Sequence, residues 1–288
     1  MDWYFFAIIA AIFFGLRMIV EKKTLFEEHA LEMSTVLSIF IFFLFFIFFD
    51  KVDFDISLDV VLLIFLASVF ATFGFWFLAK GVRHMQVSVT SPLLNFSPAF
   101  VIILAYLFLG ETLTVLQFSG VGLLIFGAYF LEVEHPFKQP LQPFIHLFKS
   151  KYTQYLFLSL ILYSFVSILD KVILRSINQF TYLFFIQFFI MINFIFLINI
   201  LHDGFKGINH GIKSAGKWIF LLSLVFIIQR TAYLTAVSMV AVSLAFPLFR
   251  AGTLFSTLLG GKIFHDSHLV HRAIACVIMV VGAALIVL

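Results

Sequence analysis

Ten long apolar runs, separated by polar breaks, organise this sequence from end to end. They fall at about 2–20, 33–49, 58–79, 88–109 and 112–131, then at 153–170, 180–201, 216–237, 242–263 and 267–287. Each is close to the length a helix needs to cross a bilayer. A helix satisfies its backbone N–H and C=O groups within the run, which lipid cannot do for it. Two breaks are very short, one around Gly110-Glu111 and one around His265-Asp266. The longest, 132–152, carries Pro136, Pro140 and Pro143 and leaves five runs on each side. The pattern predicts an all-α integral membrane protein of ten transmembrane helices, in two five-helix units at 1–131 and 153–288 joined by the loop 132–152.

The two units read as copies of each other. A shift of 155 residues lays Val87-Ser88 on Val242-Ser243, Pro92-Leu93 on Pro247-Leu248, Glu111 on Asp266 and Gly127-Ala128 on Gly282-Ala283, with no gap. A shift of 149 lays Glu21-Lys22 on Asp170-Lys171, at the ends of the first and sixth runs. Five is an odd number of spans, so the second unit must enter the membrane from the opposite side. The expectation is an inverted-topology repeat, which many secondary transporters use for alternating access.

Composition excludes several other classes. Apolar residues make up 63% of the chain and charged residues 11%, against roughly a half and a quarter in soluble domains. That is too little charge to cover a water-facing surface. The one cysteine, Cys276, excludes an internal disulfide and a cysteine-rich metal site. A dispersed net charge of +3 argues against nucleic acid as a partner. Met1–Val20 lacks a basic leading segment and ends in Glu21-Lys22-Lys23, so a retained first helix is expected rather than a secretory signal. His265, His268 and His271 sit at a helix-helix turn, where polar residues are expected anyway, and no metal site is assigned to them.

Several short motifs resemble a known family. Ser97-Pro98-Ala99-Phe100, Leu109-Gly110-Glu111-Thr112-Leu113, Gln117-Phe118-Ser119-Gly120 and Leu124-Ile125-Phe126-Gly127 look like the signature of the EamA domain. The Phe14-Gly15 step and Lys22 are similar to that family's opening helix. The second unit is a degenerate copy: Asp266 replaces Glu, His265 replaces Gly, and Thr253 stands where a match to Pro98 would be. This resemblance implies a ten-helix exporter or exchanger of small metabolites in the drug/metabolite transporter superfamily, with two EamA-like repeats.

Charged residues inside the apolar runs are the first candidates for chemistry, because burying an ionisable group in a membrane is costly unless it is paired or hydrated. Arg230 and Arg250 lie well inside the eighth and ninth runs, and Arg17 lies one turn inside the first, within reach of the interface beside Glu21. By sequence position no Asp or Glu reaches comparable depth, so an anion is the expected partner of the guanidinium fork. Arg250 leads because its equivalent under the 155-residue shift is Asn95. Pro92 and Pro247 each free the carbonyl four residues earlier, at Ser88 and Ser243. Trp76, Tyr163 and Tyr233 complete the candidate substrate-binding set, with Gln187 and Asn193 as further polar positions. Glu111 and Asp266 are expected as caps of the helices that follow them, with gate contacts as the alternative. Glu21-Lys22 and Asp170-Lys171 are expected at opposite faces, as ion pairs at helix ends or as matched gates.

The expected function is gradient-driven or exchange transport, with efflux of a small anionic or amino-acid-like metabolite across the cell membrane. The expected partners are that substrate and the lipid bilayer, with a homodimer allowed. No cofactor is expected. A membrane-embedded enzyme is the rival reading, but His-Glu-x-x-His, Gly-x-Ser-x-Gly and a phosphate-binding loop are all missing. A structural or sensor protein without transport is the third. Orientation divides two arguments. Twelve of eighteen Lys and Arg lie in odd-numbered loops and three in even-numbered ones, which puts both termini outside. The resemblance implies termini inside. The charge count is preferred.

Overall fold

Helix α1 (Trp3–Glu27) shows how these apolar runs become a bundle. Ala7, Ala10, Ala11 and Phe14 follow helical spacing and are buried, while Phe5, Ile8, Ile12 and Leu16 occupy the opposite, exposed face. The small side chains let a neighbouring helix approach closely, and the large ones meet lipid. The computed structural model describes residues 2–27, 29–84, 94, 96–132, 151–252 and 269–287.

Among the described residues the chain is all-helical. After α1 come α2 (Ala30–Phe45), continued by a 3-10 helix (Phe46–Lys51), α3 (Leu58–His84), α4 (Ser97–Leu109) and α5 (Val115–Glu132). Then follow α6 (Lys151–Ile173), α7 (Gln179–Leu201), α8 (Phe205–Met239), α9 (Val242–Arg250) and α10 (Leu269–Val287). Six of these segments, α1, α2 with its 3-10 extension, α3, α6, α7 and α8, are long and apolar enough to cross a bilayer. The protein is therefore a multi-helix membrane protein. One boundary differs clearly from the apolar pattern. α8 begins at Phe205 rather than near residue 216, so Lys206, Lys213 and Lys217 ride on a helix and not in a loop. At 35 residues it is about 52 Å long at 1.5 Å per residue, well beyond a hydrocarbon core of about 30 Å.

Contacts between helices follow a rule. α1 packs along α8, and α6 along α3; α2 packs on α8, and α7 on α3; α9 packs on α1, and α4 on α6. Exchanging each helix for the one five places away turns the first member of each pair into the second. The α2–α7, α4–α9 and α5–α10 contacts map onto themselves under the same exchange. In the last of these a Cβ on Gly282 would stand 2.8 Å from the Gly120 carbonyl oxygen, and one on Gly120 would stand 2.7 Å from that of Gly282. Only glycine fits at either place.

α9 sits at the centre. Every side chain from Val242 to Phe249 is buried, and the helix touches α1, α4, α5, α6, α8 and α10. Its interior Pro247 is among the buried residues, so the Ser243 carbonyl lacks the usual helical donor four residues on.

Candidate functional site

Tyr163 of α6 lies within electrostatic reach of Arg17, Glu21, Arg230 and Arg250. Arg17 comes from α1. Its Nε donates to Glu21 Oε2 at 3.2 Å, one turn on, and its Nη1 donates to Gln229 Oε1 of α8 at 3.3 Å. Its guanidinium also lies 4.8 Å from the centre of the Phe226 ring. The reach toward Glu21 is the one expected from the sequence.

Arg230 revises an expectation. Its Nη2 donates to Asp170 Oδ1 at 2.7 Å, and Tyr182 O–H of α7 donates to the same oxygen. Asp170 is wholly buried. A carboxylate therefore does reach the depth of the arginines, contrary to the reading from sequence position. The reason is geometric: Asp170 stands one turn from the end of α6, but α7 and α8 flank it there and carry Tyr182 and Arg230. Asp170 Oδ2 is fully buried and makes no hydrogen bond among the described residues.

Arg250 ends the described part of α9. Its guanidinium lies 5.2 Å from the Phe14 ring centre and 5.4 Å from that of Phe246. It lines a small cavity with Pro98, Leu124, Ile125, Pro247, Ala251 and Met279. Tyr233 joins the two sides: the Arg230 guanidinium stands 5.5 Å from its ring, which packs against Phe246 and Phe249. Residues from α1, α6, α8 and α9 thus meet in one polar nest inside an apolar bundle. Its cations can hold an anion by paired hydrogen bonds.

Not every candidate belongs there. Trp76 lines a different cleft, with His29, Ala30, Leu31, Ala79, Lys80 and Leu201, and the Lys80 Nζ sits 3.5 Å from its ring centre. Asn193 donates to Ser68 Oγ at 3.2 Å, and Gln187 is buried. Ser88, Pro92, Asn95 and Asp266 lie outside the described residues, as does the side chain of Lys22.

Glu111 departs from its expected role as cap of the next helix. The first turn of α5 is held by Thr114 and Gln117, each accepting from the other's backbone N–H at 3.2 Å. Glu111 instead reaches α9, where Oε1 accepts from Val242 N–H at 3.0 Å and Oε2 from Ser243 N–H at 3.0 Å and Ser243 Oγ–H at 2.8 Å. Gly110 directs it there by taking a left-handed turn, φ 66°, that a β-carbon would strain. Lys171 likewise leaves its own helix end and donates to the carbonyls of Val237 at 2.6 Å and Val240 at 2.8 Å.

Sequence reasoning missed one further cluster. Glu32 of α2 is buried between His202 Nε2 at 2.8 Å and His210 Nδ1 at 2.9 Å, and His29 stacks on His202. These residues come from three separate segments, so no spacing along the chain announces them.

Comparison with known proteins gives a family match over the first part of the chain and a fold. Residues 1–133 match the EamA-like transporter family, part of the drug/metabolite transporter superfamily. No curated protein matches the chain. Among solved structures 28 chains match. One, described only as "Crystal structure of protein", aligns over 99% of this chain and 98% of that chain with a TM-score of 0.74 at 13% identity. At that identity the likeness speaks for the fold alone.

Proposed function

We propose that this chain, whose residues 1–133 are an EamA-like transporter domain, is a secondary transporter of ten spans in two inverted five-helix repeats. It exports or exchanges a small anionic metabolite across the cell membrane. Exchange of each helix for the one five places away preserves the pattern of contacts, which supports the repeat. The observation that carries the function is the nest around Tyr163. Among the described residues it holds Arg17, Arg230 and Arg250 against Glu21 and Asp170, a net charge of one positive unit. Such a site attracts carboxylates or phosphates and repels cations. Binding must be driven by a gradient or by exchange, since no nucleotide-binding motif is present.

A second reading, an amino-acid-like substrate, is favoured by Asp170 Oδ2, a buried oxygen that makes no hydrogen bond among the described residues and suits an ammonium group. The test uses purified protein in sealed liposomes loaded with a pooled metabolite extract. Arg250→Gln is expected to reduce flux far more than Arg17→Gln, and Arg250→Lys to restore only part of it, because the charge survives but the fork does not. Normal flux by Arg250→Gln at limiting and saturating substrate would remove the anion reading. Loss of amine-bearing substrates alone in Asp170→Asn would favour the second.

A further inference from the structure

The break between α8 and α9 consists of only Val240, which is extended, and Ala241, at φ −54° and ψ 137°. A break between two helices leaves carbonyls at one helix end and N–H groups at the next, and those that packing shields from water need a partner. Here both ends are served from elsewhere in the chain. Lys171 at the end of α6 takes the Val237 and Val240 carbonyls. Glu111, after α4, takes the Val242 and Ser243 N–H groups and the Ser243 hydroxyl. A cation thus meets a helix C-terminus and an anion a helix N-terminus, the arrangement each helix dipole favours. Two of these hydrogen bonds tie α6 to the end of α8 and three tie the turn after α4 to the start of α9, and none of the five joins Glu111 to Lys171.

We infer that Glu111 and Lys171 form a latch that holds the α8–α9 break shut on this face and positions Arg250, two turns along α9; the inference rests on the transporter reading. Val240 and Ala241 are only half-buried, beside exposed Ser238 and Met239, and the latched break closes the pathway here. Opening this face must hydrate the freed carbonyls and N–H groups, and charged side chains can be rehydrated where apolar contacts could not. Glu111 and Lys171 are positioning residues: they act on the substrate site through α9.

The test follows hydration of the break directly. Ala241→Cys is introduced into Cys276→Ala, reconstituted in liposomes, and labelled with a membrane-impermeant maleimide. Glu111→Gln and Lys171→Met are each expected to raise the labelling rate about tenfold or more, the change that follows loss of a charge-assisted hydrogen bond. Lys171→Arg, which keeps donors for both carbonyls, is expected to label near the parent rate, and it guards against variants that fail to fold. The double exchange Glu111→Lys with Lys171→Glu separates a latch on helix ends from a simple ion pair. A latch predicts fast labelling, since each charge then faces the wrong end of a dipole; slow labelling would overturn it. Unchanged labelling in both single variants would also overturn it, leaving the transporter reading intact. Fast labelling in a protein that moves no solute would keep the latch and remove the transporter reading.

Discussion

Glu21 and Asp170 occupy equivalent places under the 149-residue shift, and each accepts from an arginine, yet the two pairs are physically unlike. Glu21 is held by Arg17 from the same helix, one turn away, with side chains 17% and 16% exposed. Asp170 is wholly buried, and its arginine comes from another helix. An i,i+4 pair in which both side chains keep some exposure is worth less, because water and salt still reach both charges. A pair across two helices whose carboxylate is wholly buried contributes differently: Arg230 is as exposed as Arg17, at 16%, but Asp170 at 0% has no water to replace its partner. The divergence begins with Arg230, whose counterpart under the 155-residue shift is Phe75. One half of the chain carries the cross-helix cation and the other does not.

The comparison is broken most forcefully at Asp170. Asp170→Ala leaves the largely covered Arg230 without this carboxylate and is expected to cost about 3–5 kcal/mol in stability. Chemical denaturation in detergent micelles measures this. The double variant Asp170→Asn with Arg230→Gln is expected to recover much of the loss, since neither charge then remains. A loss below about 1 kcal/mol for Asp170→Ala would mean that water reaches this pair as it reaches Glu21.

Tyr182→Phe sharpens the same point more gently. It removes one hydrogen bond to Asp170 Oδ1 while leaving Arg230 in place. The expected cost is about 1.5–3 kcal/mol, that of a buried hydrogen bond to a charged group. Denaturation of Tyr182→Phe in the Asp170→Asn background checks the assignment. The two losses should add to less than their sum, because the partners share one oxygen.

How far the sequence reveals these features depends on distance along the chain. The helical architecture is legible, because span length and apolarity are local properties, and the long apolar runs appear as helices. The Arg17–Glu21 pair is legible for the same reason. The Arg230–Asp170 bond is not: Asp170 stands at the end of an apolar run and looks exposed until α7 and α8 are placed beside it. Glu111 was visible as an acid at a helix start, yet the helix it serves lies more than a hundred residues away. Glu32 with His202 and His210 gave no signal, since three unrelated segments meet there.

The smallest expected effect lies at Glu21, and it is the one that tests whether the two halves of the chain truly differ. Glu21→Gln removes the charge but keeps a carbonyl oxygen for Arg17 Nε, and Gln229 still accepts from Nη1. Arg17 also keeps its place over the Phe226 ring. With three supports retained and only a partly exposed Coulomb attraction lost, the expected change is about 0.3–0.5 kcal/mol. It should shrink further as salt is raised, because the Debye length falls to about 8 Å at physiological ionic strength and about 3 Å at 1 M. Denaturation at low and high salt measures both quantities. A loss near that of Asp170→Ala, insensitive to salt, would mean that Glu21 sits in surroundings as dry as those of its counterpart. The two halves of the chain would then hold their carboxylates alike, and the asymmetry assigned to Arg230 would have to arise from somewhere other than burial.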